Sequence, residues 1–232
     1  MTELNGRRIL VTGASGGLGS LIARELAAQG AHLVLSARNA EGLQELGLEA
    51  EMFSLDLSVP GAAQALVEAT TATGPLDGVV MAHGVVAFGP ASELTDEALS
   101  TLMVLNVTAP IQLIRAAVPA LSASKAAGNE PFIVTIAGVV ADSPTAGMAA
   151  YSASKAGLKA FVSAVSRELR REGIRVLDAR PPHTETGLAT RPISGEAPSM
   201  PQGLEPEVVA SRIVAAIVND EKDVPTAAFV AS

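Results

Sequence analysis

The sequence predicts a single-domain α/β fold: one doubly wound parallel sheet with helices on both faces, spanning residues 1–232. Three observations carry this reading. Short apolar runs alternate with segments of helical period along the whole chain, the pattern of repeated β-α-β units. The apolar runs, such as Ile9-Leu10-Val11, are continuous rather than alternating, as strands covered on both faces require. No internal repeat and no shift in composition marks a domain boundary.

The elements follow in order. Residues 8–12 read as a buried strand that runs into a glycine-rich turn, Gly13 to Gly19, and then a helix over 18–29, with Leu18, Leu21, Ile22, Glu25 and Leu26 at helical spacing and Gly30 as its stop. A second strand covers 32–36, a short helix 41–46 and a third strand 50–55, ending at Asp56. Pro60 opens a helix that runs to 73, where Gly74-Pro75 breaks it. The fourth strand is 79–82, and 85–94 reads as loop. A long helix over 95–118 contains Pro110, the fifth strand is 132–136, and 138–150 is a loop of small residues. A helix over 151–172 has the core stripe Leu158, Phe161, Val162, Val165 and Leu169, and is followed by a sixth strand at 174–179. Residues 180–206 are rich in Pro, Gly, Ser and Thr, with no period. So long a connection is expected to be a functional lid or disordered, and within 187–206 the apolar Leu188, Ile193, Met200 and Leu204 are the residues suited to cover an apolar ligand. A helix over 207–218 and a short strand within 224–232 close the chain.

Composition removes several classes of function. Hydrophobic residues make up 48% and aromatics only 3%, which suits close helix-on-sheet packing by aliphatic side chains. A net charge of −8 argues against nucleic acid or an anionic membrane as the main partner. With no cysteine there is no disulfide and no thiol nucleophile, and His32, His83 and His183 lack ligand spacing, so no metal site is expected. The N-terminus lacks the apolar stretch of a signal peptide and no long uninterrupted apolar run occurs, so a cytoplasmic protein without a membrane span is expected.

Two motifs carry chemistry. Thr12-Gly13-x-x-x-Gly17-x-Gly19 lies between a strand and a helix. Glycines there allow a tight turn and close backbone approach to a pyrophosphate, at a helix N-terminus that offers unpaired N–H groups; the alternative is a turn used only for packing. Tyr151 and Lys155 stand four apart on a helix, hence on one face. An ammonium beside a phenol favours the phenolate and makes the phenol a better proton donor and acceptor near neutral pH. Alone, this pair reads first as an ordinary surface Tyr and Lys, since the spacing recurs often by chance.

Together, in this order, the two motifs resemble the short-chain dehydrogenase/reductase family over nearly the whole chain. The resemblance implies a Rossmann-type fold and an oxidoreductase that interconverts a carbonyl and an alcohol by hydride transfer, with a small-molecule substrate and a homodimer or homotetramer formed through the helices that carry Asn106 and Tyr151. It implies Tyr151 as the general acid/base, Lys155 as binder of the nicotinamide ribose, and Asn106 as a holder of a water that relays protons. Its cofactor contacts fall on Gly13, Ser15, Gly17, Leu18, Gly19, Asp56, Leu57, Gly84, Thr184 and Thr186, besides Tyr151 and Lys155. Asp56 reads almost equally as a cap for the helix that Pro60 opens. The second strand ends in Arg38 with no acid, so NADP(H) is favoured over NAD(H), with Ser36 and Asn39 as helpers; a solvated loop residue is the alternative for Arg38.

The chain departs from the family pattern at three places. Met81-Ala82-His83-Gly84 stands where Asn-Asn-Ala-Gly is usual, leaving His83 as either a site residue or a structural histidine. Pro182 replaces a glycine; the resemblance implies His183 on the substrate side, and the alternative, which Pro182 favours, is a plain exit turn after the sixth strand. The family's catalytic serine, thirteen positions before the tyrosine, is Gly138. Loss of one hydrogen bond to developing charge costs about 1.5–3 kcal/mol, roughly 10- to 100-fold in rate. Ser143, Thr135 or a water are the candidate substitutes, and a binding protein of little turnover is the alternative function.

Overall fold

A computed structural model describes residues 1–230. Its strands are β1 (Arg8–Thr12), β2 (His32–Ala37), β3 (Ala50–Ser54), β4 (Gly78–Met81), β5 (Phe132–Ile136), β6 (Arg175–Ala179) and β7 (Asp223–Val224). Its helices are α1 (Gly17–Ala28), α2 (Ala40–Gln44), α3 (Ala62–Thr73), α4 (Asp96–Met103), α5 (Ala109–Ala126), α6 (Ala149–Leu169), α7 (Pro206–Val218) and α8 (Ala227–Val230). All seven strands pair in parallel in the order β3-β2-β1-β4-β5-β6-β7. The order reverses between β1 and β4, and at such a switch point the loops at the strand ends diverge and leave a crevice.

Strand alternation divides the core into two layers. Leu10, Val34, Val79, Ile133 and Val176 face one side, under α3, α5 and α6; Ile9, Val11, Leu33, Leu35, Val80, Val134 and Leu177 face the other, under α1 and α7. Every strand except the edge strands β3 and β7 is therefore apolar on both faces, which is why the sequence shows continuous runs. At the start of β4, a Cβ on Gly78 would stand 2.5 Å from the buried Phe132 ring, so glycine is what lets that ring lie across the strand.

Three local features depart from expectation. The long helix does not stop at Val118 but reaches Ala126, because Leu113, Ile114, Ala117 and Leu121 remain buried beyond and around Pro119. It also widens into a π turn at Val104–Thr108, just ahead of Pro110. Pro110 has no N–H to offer the Asn106 carbonyl four residues earlier, and its ring crowds that carbonyl, so the α pattern cannot run through. The continuous stretch Asp96–Ala126 is long and apolar enough to cross a membrane by length and composition; here α5 packs against α3 and β5 in the core. Finally, the tail forms the short strand β7, two residues long, and then α8, which the sequence did not suggest; residues 231–232 lie outside the described part.

Candidate active site

The site is built on the turn after β1. Gly13 has φ +71°, and a Cβ there would stand 2.6 Å from the His83 backbone nitrogen at the end of β4. A Cβ on Gly17 would stand 2.5 Å from the Thr186 carbonyl beyond β6. Two other chain segments thus converge on this turn, and only glycine lets them approach. Gly19 lies beneath, against the Gly13 backbone, and does not line the cleft. The first turn of α1 has no side-chain cap and no acidic residue, so its N–H groups and positive dipole end remain available to an anion.

A cleft of about 1010 Å³ opens from this turn across the strand ends. Among the residues expected from sequence, Gly13, Ser15, Gly17, Leu18, Arg38, Asp56, Leu57, Gly84, Tyr151, Lys155, Thr184 and Thr186 all line it. At its far end, the exposed Arg38 side chain makes no hydrogen bond or ion pair among the described residues. Ser36 and Asn39 also line the cleft, and Asn39 uses its Oδ1 to cap α2 at the Glu41 amide (3.1 Å). Asp56 is not the cap of α3. Its Oδ1 accepts from the Ser58 amide at 2.8 Å, which with Arg38 nearby holds its carboxyl below the usual range, while Gly61 stands at the N-cap of α3.

The middle of the cleft holds Tyr151, Lys155 and His83. Burial pushes the Tyr151 phenol up to about 12. The Lys155 ammonium lies 6.0 Å from the centre of its ring and donates to the Ile136 carbonyl at 2.8 Å. Burial, partly offset by Asp178, brings Lys155 down to about 8. The simple expectation that the lysine depresses the tyrosine is therefore not met: desolvation of the phenolate prevails at this separation. His83 Nδ1 lies 2.7 Å from Thr12 Oγ1, and its Nε2 is enclosed without a partner. Burial, aided by the Lys155 charge, lowers its pKa to about 3, so the ring is neutral.

Asn106 lies behind the cleft, 1% exposed. Its Oδ1 accepts from the Val85 amide (3.0 Å), and its Nδ2 donates to the Val85 carbonyl (2.9 Å) and to Ser154 Oγ (3.0 Å). The side chain thus ties the exit of β4 to α6, one residue before Lys155. Gly84 completes this cradle: a Cβ there would stand 3.1 Å from Asn106 Oδ1 and 3.5 Å from Lys155 Nζ.

Gly138 has φ +77° and ψ 165°, and a Cβ there would meet only the Pro181 carbonyl, at 3.9 Å. Neither expected substitute for a serine is in place. Thr135 donates to Asp178 Oδ1 at 2.7 Å within the core, and Ser143 is exposed outside the cleft. Thr145, which the sequence reading passed over, does line it. So do Val86, Phe88, Val140 and Met148, which form an apolar wall near Tyr151.

Residues 187–205 form no helix or strand. The segment is held across the cleft by hydrogen bonds from the Ile193 amide to the Val86 carbonyl and from the Phe88 amide to the Ser194 carbonyl, both 2.9 Å. Leu188, Ile193 and Met200 face the cleft; Leu204 instead packs against the second core layer and bridges Thr184. His183 lies beside Glu185 (3.3 Å) at the junction with a smaller pocket of about 370 Å³.

The sequence reading also missed Asp178 and Arg180. A charged residue inside the apolar run of β6, followed two residues later by an arginine, was the available signal.

Comparison with known proteins matches the architecture. A model of the family described as short chain dehydrogenase matches residues 7–196. The 3-oxoacyl-acyl-carrier-protein reductase of Escherichia coli is 31% identical over 91% of this chain and 85% of its own. A metagenomic short-chain oxidoreductase solved in complex with NADP superposes with a TM-score of 0.80 at 31% identity, covering 97% of this chain and 98% of that one. The 3-ketoacyl-acyl-carrier-protein reductase of Brucella melitensis complexed with NADH gives 0.86 at 25% identity, covering 96% and 97%.

Proposed function

This chain belongs to the short-chain dehydrogenase family, and we propose that it is an oxidoreductase that interconverts a carbonyl and an alcohol with NADP(H). When bound, the nicotinamide would supply or accept the hydride. The turn from Gly13 to Gly19 and the N-terminus of α1 receive the pyrophosphate. Arg38 pairs with the 2′-phosphate, for which a guanidinium without a protein partner is suited. Asp56 and Leu57 border the adenine, Lys155 holds the nicotinamide ribose hydroxyls, and Thr184 and Thr186 meet the nicotinamide end. The relatives solved with NADP and with NADH support a nicotinamide cofactor, and Arg38 supports the phosphorylated form.

Tyr151 gives its proton to the carbonyl oxygen in reduction and takes it back in oxidation. Its phenol, held near 12, is fully protonated at neutral pH and so ready as the acid in the reductive direction. Asn106 acts by fixing Val85 and Ser154 around Lys155. Residues 187–206 serve as the substrate lid, and with Val86, Phe88, Leu188 and Ile193 facing the cavity, the substrate carries an apolar group. The chain forms a homodimer or homotetramer through α4, α5 and α6, a face on which Leu99 and Met103 are exposed.

The observation that carries this reading is the convergence of Tyr151, Lys155, the glycine turn and Arg38 on one cleft. An NADPH-oxidation screen over ketones, aldehydes and quinones tests it. Turnover is expected on apolar carbonyls. Tight NADPH binding with no turnover on any class would favour a sensor or interaction protein of the same fold, the reading that Gly138 motivates.

A further inference from the structure

The Tyr151–Lys155 pair stands over a network of charged groups that the proposed reaction does not use. β5 and β6 pair in register, Thr135 opposite Asp178 and Ile136 opposite Ala179. Ile133 and Val176 belong to the core layer beneath α6, and Val134 and Leu177 to the opposite layer. Alternation therefore turns Thr135 and Asp178 toward α6, the helix that carries Lys155. Lys155 reaches down to the Ile136 carbonyl, next to Thr135 on β5. Asp178 is 5% exposed and fully engaged: Oδ1 accepts from Thr135 Oγ1 (2.7 Å) and Oδ2 from Arg180 Nη1 (2.9 Å). Arg180 is fixed in turn by Asp142 Oδ2 at 2.6 Å and by Asp223 Oδ1 at 2.7 Å. Asp142 also pairs with Lys159, one helical turn beyond Lys155.

We infer that Asp178 is a positioning residue, a buried carboxylate oriented by Thr135 and Arg180 that supplies the counter-charge keeping Lys155 an ammonium beside Tyr151. The neighbours of Lys155 leave no other candidate among the described residues. From the end of β4 comes the neutral His83, from α6 the neutral phenol of Tyr151, and from the π turn the uncharged Asn106; only β6 offers an anion. Burial raises the pKa of Asp178, but a guanidinium at 2.9 Å that cannot lose its proton keeps it a carboxylate at neutral pH. A buried ammonium with no anion would lose its proton readily. The role assigned to Lys155 in catalysis belongs to the function proposed above, whereas the coupling of Asp178 to Lys155 is measurable without turnover.

The chain has four lysines, Lys125, Lys155, Lys159 and Lys222, so a spectrum of protein labelled with 13C at the lysine Cε has four signals, each assignable by substitution. Asp178→Asn should move the titration midpoint of Lys155 down by about one pH unit or more and leave Lys125 and Lys222 in place. Asp223→Asn, which removes an exposed carboxylate from Arg180 only, should move Lys155 little. If Asp178→Asn does not fold, Asp178→Glu keeps the charge but displaces it by one methylene, and should lower the midpoint by a smaller amount. A Lys155 midpoint equal to wild type in the folded Asp178 variants overturns the inference. Failure of the reductase reading would show differently, as turnover that survives loss of the Tyr151 hydroxyl while the Lys155 midpoint still responds to Asp178.

Discussion

Gly138 offers the sharpest test of how this site is built. Its φ of +77° with ψ of 165° lies in a region that is almost restricted to glycine, where another residue costs on the order of 1–3 kcal/mol. A Cβ there meets nothing closer than the Pro181 carbonyl at 3.9 Å, so steric conflict adds little and the cost of Gly138→Ala is one of backbone. Taking about 2 kcal/mol, and about 2–4 °C per kcal/mol for a chain of this size, the variant should unfold roughly 4–8 °C below wild type. Gly138→Ser carries the same strain, so comparing Ser with Ala isolates the hydroxyl. A hydroxyl that reaches the carbonyl oxygen is worth about 1.5–3 kcal/mol in the transition state, roughly 10- to 100-fold in kcat over the alanine variant. Thermal unfolding and NADPH-oxidation rates of the three proteins decide the matter. An alanine variant as stable as wild type refutes the backbone argument. A serine variant no faster than alanine refutes the idea that a hydroxyl can act from this position.

Three further outcomes follow from the same geometry. Arg38→Ala should weaken NADPH binding roughly tenfold to a hundredfold and leave NADH binding nearly unchanged, read by cofactor fluorescence titration; equal losses for both would remove the 2′-phosphate contact. Lys155 titrates near 8 in the folded chain against 10.5 as a free side chain, so the unfolded state binds more protons between these values and stability rises with pH. Urea unfolding should show a gain of about 2 kcal/mol from pH 8 to pH 10 that Lys155→Met lacks; above pH 10, Tyr151, whose folded value is raised, begins to oppose it. His83 titrates near 3 in the folded chain against 6.5, so stability present above pH 6.5 is lost on acidification. Wild type should lose about 2 kcal/mol between pH 7 and pH 5 from this group, and a His83→Phe variant with the same acid slope would count against a buried neutral ring.

The fold was legible because burial on both faces writes itself as continuous apolar runs, and because Gly13 and Gly17 mark points of backbone contact that no other residue permits. The Tyr151–Lys155 pair was legible because helical spacing alone puts both on one face. What was not legible depends on contacts between distant segments. The side-chain partners of Asn106 were not legible: Val85 and Ser154 come from two other elements. For Asp56 an adenine contact and a helix cap read almost equally, and the local turn to Ser58, which takes its oxygen, removes the cap. Leu204 looked like part of the lid, but it bridges Thr184 and packs, half-buried, against the second core layer. The network around Arg180 joins the loop at Asp142, β6 and β7, and no local pattern shows that residues so far apart in sequence share one guanidinium.

The central claim is that Tyr151 transfers a proton beside a bound nicotinamide ring. The most direct measurement pairs NADPH affinity with steady-state reduction of an apolar ketone in wild type and in Tyr151→Phe. Removal of the hydroxyl should leave the Kd for NADPH within a few-fold of wild type and lower kcat/KM by at least about a hundredfold, the scale of a general acid. Turnover that persists in the phenylalanine variant would contradict the account.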